Sequence, residues 1–269
     1  MIADGKKIAE KIENDLKDAL LALPEKYLCF VMVGENAASE QFVAMKTRVA
    51  KRLGVNVALE HFPDDISQQE LEQEISNICS EGFDGVVVQL PLPNHLNAQE
   101  ILDCVPANLD CDVLGAQAKQ LFAASGLGKI PPVARAVSEI LDFYDVSLSD
   151  KNVLIVGNGK LVGQPIGQLF HNRGISFHVI DKDTQQNIKE SELKSADVII
   201  SGTGSPHSIH PELIKEGVIL IDAGTSEQSG KLVGDIDPAC AEIASLTTPV
   251  PGGVGPVTVA CLFANLIEN

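Results

Sequence analysis

Asn152-Val153-Leu154-Ile155-Val156-Gly157-Asn158-Gly159-Lys160-Leu161-Val162-Gly163-Gln164-Pro165 decides the fold. Its apolar run Val153 to Val156 is short, β-branched and closed by a glycine, as a strand buried on both faces is, and the apolar residues that follow (Ile166, Leu169, Phe170) recur at helical spacing. The stretch reads as strand, tight turn and helix. Glycines at such a junction permit positive φ, let a ligand approach bare backbone and let the helix pack close on the strand. N–H groups at the helix start then face a pyrophosphate, which makes Gly157, Asn158, Gly159, Lys160, Val162 and Gly163 the candidate cofactor-binding residues.

The spacing G-x-G-x-x-x-G is one residue longer than the common dinucleotide fingerprint, and glycines that serve only packing would give the same local pattern. The context favours the nucleotide. A second strand, Phe177 to Ile180, ends on Asp181, about twenty residues after the turn, where such folds place an acid on the adenosine ribose. Two more strand-like runs follow, Asp197 to Ile200 and Val218 to Asp222, separated by segments of helix length, so this half predicts a parallel sheet.

The first half alternates in the same way. An amphipathic helix (Ile8, Ile12, Leu16, Leu20) leads to a strand, Tyr27 to Gly34, then to a helix ending near Leu53, on which Phe42 and Lys46 stand four apart and share a face. A strand from Val55 to His61 precedes Ile66-Ser67-Gln68-Gln69-Glu70-Leu71, a capping box with Ile66 and Leu71 placed as a hydrophobic staple. The strand Gly85 to Gln89 runs into Leu90-Pro91-Leu92-Pro93, whose prolines hold Gln89 at the strand end. A glycine-rich piece (Gly126, Gly128) and Pro131-Pro132 precede a helix from about Ala134 to Tyr144. Near the other end, Thr248 to Thr258 is so rich in glycine and proline that it predicts a bent, rigid loop able to lie flat on a planar ligand, followed by a short apolar helix from Val259 to Ile267.

A chain of 269 residues has room for two cores, and a net charge of −17 argues against nucleic acid or an anionic membrane surface as partner. Six cysteines without a C-x-x-C pair fit reduced thiols in the cytoplasm and no metal site. The first residues carry no apolar signal core, and no run approaches membrane-spanning length.

With these residues assembled, the chain resembles the methylenetetrahydrofolate dehydrogenase/methenyltetrahydrofolate cyclohydrolase family over nearly its whole length. The matching pieces are Asp4-Gly5-Lys6, Val33-Gly34 with Ala38-Ser39, Val43 with Lys46, Val88 to Pro93, Asp110 with Asp112, Val162-Gly163 with Pro165, Gly234-Asp235 with Asp237, and Thr248 to Pro256. The strings Gln-Leu-Pro-Leu-Pro and Pro-Gly-Gly-Val-Gly-Pro, in this order, carry most of the specificity.

The resemblance implies an α/β protein of two α/β domains with a folate cleft between them. Residues 1–133 plus 257–269 would form the folate-binding catalytic domain, and 134–256 a Rossmann-like dinucleotide-binding domain. It further implies a homodimer, NADP or NAD as cofactor, and two reactions: oxidation of 5,10-methylenetetrahydrofolate, then hydrolysis to 10-formyltetrahydrofolate. Lys46, Gln89 and Asp112 then occupy catalytic positions, with Phe42, Pro251, Gly252 and Gly253 on the substrate and Ser226 on the cofactor. Hydride transfer from the folate asks mainly for positioning, whereas opening the methenyl ring asks for a group that moves protons, which points to Lys46. On the residues alone, Lys46 reads equally as a solvated helix lysine, Gln89 as a structural strand-end amide and Asp112 as a turn cap, while His95 and His207 read as loop histidines.

The chain departs from the family at several of these positions. Phe42 stands for a Tyr, Val113 for the Gly after the pterin Asp, Pro131-Pro132-Val133-Ala134 for Pro-Cys-Thr-Pro, Gly157-Asn158-Gly159 for Gly-Arg-Ser, and Ser226 for an Asn. Asp181 and the missing Arg favour NAD over the family's usual NADP, with Lys160, Arg173 and Lys182 as cations near enough in sequence to oppose that preference. Phe42 leaves open a dehydrogenase without cyclohydrolase activity. A silent folate- or nucleotide-binding relative is the remaining alternative, opposed by the joint presence of Lys46, Gln89 and Asp112.

Overall fold

Helix α1 (Gly5–Leu20) buries Ile8, Ile12 and Leu16 at the spacing legible in the sequence. The computed structural model describes residues 1–125, 128–228 and 230–268, so Gly126 of the glycine-rich piece lies outside the described residues. The chain divides into two units, Lys11–Pro132 with Val259–Asn269, and Met1–Glu10 with Val133–Thr258.

The first of these units is built on β1 (Tyr27–Val33), followed by α2 (Ala37–Leu53), β2 (Asn56–Phe62), α3 (Gln68–Ser80), β3 (Gly85–Val88), α4 (Ala98–Asp103) and α5 (Ala116–Ser125). The strands form a parallel sheet in the order β2-β1-β3, with Val31 opposite Val88. Only the first residue of β1 is exposed, as expected of a central strand. Val31, Val33, Val86 and Val88 share a core with Leu71, Ile75 and Ile78 of α3. That helix begins as its sequence predicts: Ser67 Oγ accepts from the Glu70 amide at 3.3 Å and the Ser67 amide donates to Glu70 Oε2 at 3.1 Å. Ile66 and Leu71 are buried in the same core, completing the staple.

In the other unit, α6 (Pro132–Phe143) leads to β4 (Val153–Val156), α7 (Gly163–Asn172), β5 (His178–Ile180), α8 (Gln186–Ser195), β6 (Val198–Ser201), β7 (Ile219–Asp222), the hairpin β8 (Ser226–Gln228) and β9 (Lys231–Val233), and β10 (Leu246–Thr247). Five strands form an all-parallel sheet in the order β10-β7-β6-β4-β5. Numbered from β4, this is the doubly wound order 2-1-3-4-5, whose direction reverses between β4 and β6.

Three features differ from expectation. Between β6 and β7 there is a single 3-10 turn at Pro211–Leu213, where Gly202, Gly204 and two prolines interrupt any longer helix. The final helix, α9, spans Val254–Ile267 and so begins five residues earlier than predicted, taking in half of the glycine- and proline-rich loop. Pro256 is its third residue, where the missing N–H breaks no intrahelical bond. Last, residues 1–10 group with the dinucleotide-fold unit, not with the other as the boundary 1–133 supposed. Ile2 forms a parallel bridge to Thr247 and the Met1 amino group donates to the Ser245 carbonyl at 2.8 Å, which ties this segment to β10. Residues 259–267 are buried on every face, as in a core helix, and no described helix is long and apolar enough to cross a membrane.

Candidate functional site

Helix α2 starts where the Asn36 side chain caps the Ser39 amide and stops at Gly54 in the left-handed conformation, which fixes the phase of its Phe42 and Lys46 face. Lys46 Nζ lies 3.3 Å from Gln89 Oε1 and 3.4 Å from Asp112 Oδ2. It stands 5.8 Å from the centroid of the Phe30 ring, which lines this spot from β1 and escaped the sequence reading because a strand's inward face looks like plain core. Gln89 continues the ladder past β3, its amide donating to the Val31 carbonyl at 2.9 Å. The Gln89 Nε2 donates to the Leu90 carbonyl at 2.8 Å, so the Oε1 is the atom turned to the ammonium.

The three residues named from the sequence thus meet at one point within one unit. The Lys46 and Asp112 side chains are only 12% and 20% exposed, so their pairing is little screened by water. Two of the three ammonium protons have protein acceptors, and among the described residues no acceptor takes the third. Phe42, one helical turn away, is half-buried.

The cofactor candidates gather where the other sheet reverses direction. Gly157 follows β4 with φ +98°, and its amide donates to the Ile180 carbonyl at 2.8 Å, bringing Asp181 beside the turn. A Cβ at Gly163 would overlap the Gly157 carbonyl oxygen, and one at Gly157 would sit 2.8 Å from the Gly202 carbonyl. Gly159 differs: a Cβ there meets nothing closer than 4.0 Å, so packing does not require it. Of the first three residues of α7, Gln164 donates its amide to Gly159 and Pro165 has none, which leaves the Gly163 amide free at the helix start. The amides of Asn158, Gly159, Lys160 and Leu161 have no protein acceptor among the described residues. A bare-backbone turn with free amides at the reversal point, and an acid at the end of the neighbouring strand, is a donor set that fits a dinucleotide.

Asp181 is partly committed to its own turn. Its Oδ1 accepts from the Asp183 amide at 3.0 Å and from Thr184 Oγ1 at 3.1 Å, so Oδ2 is the oxygen available to a ribose. Ser226 Oγ donates to the Gly204 carbonyl at 2.9 Å, tying β8 to the loop after β6. Arg173 lies apart from the phosphate turn: it caps the C-terminal end of α7, roughly 15 Å along the helix, and donates to Ser138 Oγ at 2.5 Å. It therefore drops out as a cation for a phosphate at the turn, leaving Lys160 and Lys182, both exposed.

Pro251, Gly252 and Gly253 form the turn before α9, closed by the Gly253 amide on the Pro249 carbonyl at 2.8 Å. Gly5 is bare because a Cβ there would overlap the Gly253 carbonyl, which accounts physically for the glycine in Asp4-Gly5-Lys6.

Two buried carboxylates, Asp222 at the end of β7 and Asp235 of the matching piece Gly234-Asp235, organise the loops beyond β6 and β7. Asp222 accepts from the amides of Gly224, Asp235 and Ile236 at 3.0, 3.2 and 2.9 Å. Asp235 accepts from Ser201 Oγ and the amides of Thr203 and Ser205 at 2.7, 2.7 and 3.0 Å. Burial pushes the Asp222 carboxyl up to about 6, the neighbouring Asp235 charge adding to the rise while the three amides oppose it. The signals in the sequence were an apolar strand ending in Asp222 and the family piece that contains Asp235, neither of which reveals these bonds.

Comparison with known proteins agrees with this geometry. The family model described as tetrahydrofolate dehydrogenase/cyclohydrolase, catalytic domain, matches residues 3–112, and that described as tetrahydrofolate dehydrogenase/cyclohydrolase, NAD(P)-binding domain, matches residues 131–269. The chain is 36% identical to the bifunctional protein FolD of a Hydrogenobaculum species, over 99% of this chain and 97% of that protein. Among solved structures it is similar to the bifunctional FolD dehydrogenase/cyclohydrolase of Campylobacter jejuni (TM-score 0.94, 31% identity, 100% of this chain and 97% of the other). A third relative is the Trypanosoma brucei dehydrogenase-cyclohydrolase, solved with NADP cofactor and an inhibitor (TM-score 0.93, 29% identity, 99% and 95%). Matched in order by both domain models and alike in fold along its whole length, the chain belongs to the tetrahydrofolate dehydrogenase/cyclohydrolase family.

Proposed function

We propose that the protein oxidises 5,10-methylenetetrahydrofolate to 5,10-methenyltetrahydrofolate with NAD(P) and hydrolyses the product to 10-formyltetrahydrofolate. The observation that carries this reading is the Lys46 ammonium held between Gln89 and Asp112 on a chain that also carries a dinucleotide turn. A bound NAD(P) supplies the hydride acceptor. The chain's part in that step is to orient the folate, for which Asp112 offers a carboxylate to the pterin and the face of Phe42 a stacking surface. In the hydrolytic step, Lys46 Nζ as the neutral amine takes a proton from the attacking water, and the ammonium so formed gives that proton to the departing ring nitrogen. Gln89 and Asp112 fix the Nζ position in the ammonium form, which leaves one proton without a protein acceptor among the described residues for transfer to the ring nitrogen.

NAD is the preferred cofactor in this proposal. Asp181 Oδ2 remains open to ribose hydroxyls and would repel a 2′-phosphate, while Arg173 is occupied at Ser138. Residues 1–133 and 257–269 are proposed to bind folate, except that residues 1–10 pack with the dinucleotide fold. We further propose a cytoplasmic homodimer that binds neither nucleic acid nor membrane, in keeping with the charge of −17 and the free cysteines.

The second reading, a dehydrogenase without cyclohydrolase activity, is favoured by Phe42, which offers no hydroxyl beside Lys46. A spectrophotometric assay with methylenetetrahydrofolate and each cofactor separates the two, since reduced cofactor with accumulating methenyl-folate gives the second reading. No cofactor reduction with either nucleotide overturns both.

A further inference from the structure

The turn that carries Asp112 is held from both sides. Upstream, the Val86 amide donates to the Leu109 carbonyl at 2.8 Å and Val86 bridges Asp110 in parallel, so residues 109 and 110 extend the sheet beside β3. On the outer side, Asn265 of α9, 1% exposed, donates from Nδ2 to the carbonyls of Cys111 and Ile130 at 2.9 and 2.8 Å. On the inner side, the Asp110 carboxylate, 4% exposed, accepts from the amides of Leu114 and Gly115 at 2.9 and 2.8 Å. Between these fixed points Val113 is forced to φ +56° while buried. A β-branched residue does not choose the left-handed region on its own, because Cβ crowds the backbone there. The surroundings impose that conformation, and the bonds to Asp110 span Val113.

We propose that Asp110 is a positioning residue for this site: by gathering the amides beyond Val113 it forces the strained turn that aims Asp112 at Lys46 Nζ. The inference rests on the reading of Lys46 and Asp112 as functional, and it adds a role for a carboxylate that touches neither reactant nor Lys46. Where a glycine would make the turn without strain, this chain has Val113 and depends on the Asp110 clamp.

A double-mutant cycle in the full chain tests it, with kcat/KM for methenyl-folate hydrolysis measured per folded enzyme by near-ultraviolet circular dichroism. Asp110→Ala, which removes the acceptor of both amides, is expected to lower kcat/KM by tenfold or more, since a misplacement of about an ångström has that scale of effect. In the Val113→Gly background the same change is expected to cost less than about threefold, because glycine holds the left-handed turn without help. Equal losses in the two backgrounds, as a purely structural carboxylate gives, overturn the proposal, as does an Asp110→Ala variant with wild-type kinetics. If Asp110→Ala alone yields no folded enzyme, the double variant decides: folded and active supports the clamp, unfolded overturns it. Asp112→Asn assayed in parallel separates the two levels, since unchanged hydrolysis there removes the reading of the site itself.

Discussion

Gly163 can carry no side chain because its Cβ would overlap the carbonyl oxygen of Gly157, so the start of α7 lies directly against the turn that leaves β4. Gly163→Ala must therefore displace the turn, and it is expected to raise the KM for NAD(P) by roughly tenfold or more while hydrolysis of methenyl-folate stays within about twofold. Gly159→Ala, with open space around it, is expected to change the cofactor KM by less than about threefold. Initial rates of both reactions on the two variants check the contrast.

Lys46→Met removes the amine and keeps the stem over Phe30. Cyclohydrolase activity is expected to fall by at least about a hundredfold, the usual scale of a lost proton-transfer group, with folate binding retained. Phe42→Tyr is expected to raise cyclohydrolase activity, since it restores a hydroxyl one helical turn from Nζ. A Lys46→Met variant that hydrolyses methenyl-folate at the wild-type rate removes Lys46 from the mechanism.

Asp181 is expected to govern cofactor choice. A phosphate about 4 Å from this carboxylate is repelled by roughly 1 to 4 kcal/mol, depending on the local dielectric, which corresponds to about tenfold or more in preference. The wild type is expected to show the higher kcat/KM with NAD, and Asp181→Ser to narrow the gap. A wild-type preference for NADP would mean that Lys160 and Lys182 set the local field.

Asp222 gives the fold a pH dependence of definite sign. Its carboxyl sits near 6 in the folded chain against 3.8 for the free group, so the folded state holds this proton more tightly. The associated stability is full below about 4 and is lost as pH rises through about 6. Urea unfolding of wild type and Asp222→Asn between pH 4.5 and 8 should therefore show the difference between them shifting against the wild type as pH rises. A difference independent of pH would place the titration elsewhere.

What could be read in advance was local. The continuous apolar run of β1 and the Ser67–Glu70 capping box need only neighbouring residues, and α3 starts where the box says; Ser67→Ala is expected to cost about 0.5–2 kcal/mol in urea unfolding. Lys46, Gln89 and Asp112 were legible through family motifs, and their side chains meet in the fold. The hairpin of β8 and β9 was missed because three-residue strands give too little alternation to register. The start of α9 was missed because Gly255 and Pro256 read as a loop, although the burial of the helix, supplied by distant residues, outweighs their poor helix propensity. The tie of Arg173 to Ser138 joins residues 35 apart, which no spacing rule anticipates.

The strand order also governs when the dinucleotide site comes into existence during folding. β4 pairs with β6 across the whole β5 crossover, Val153 opposite Val198, so the two strand ends that flank the turn are brought together only by a long-range contact. Loops of that length close late and slowly compared with a hairpin. A chain with β4 and α7 formed but β6 unpaired has the glycines and no site, since Gly202 is not yet opposite Gly157. Nucleotide then binds a chain in which β4 and β6 are paired and not one in which they are apart, so its binding energy adds to that pairing.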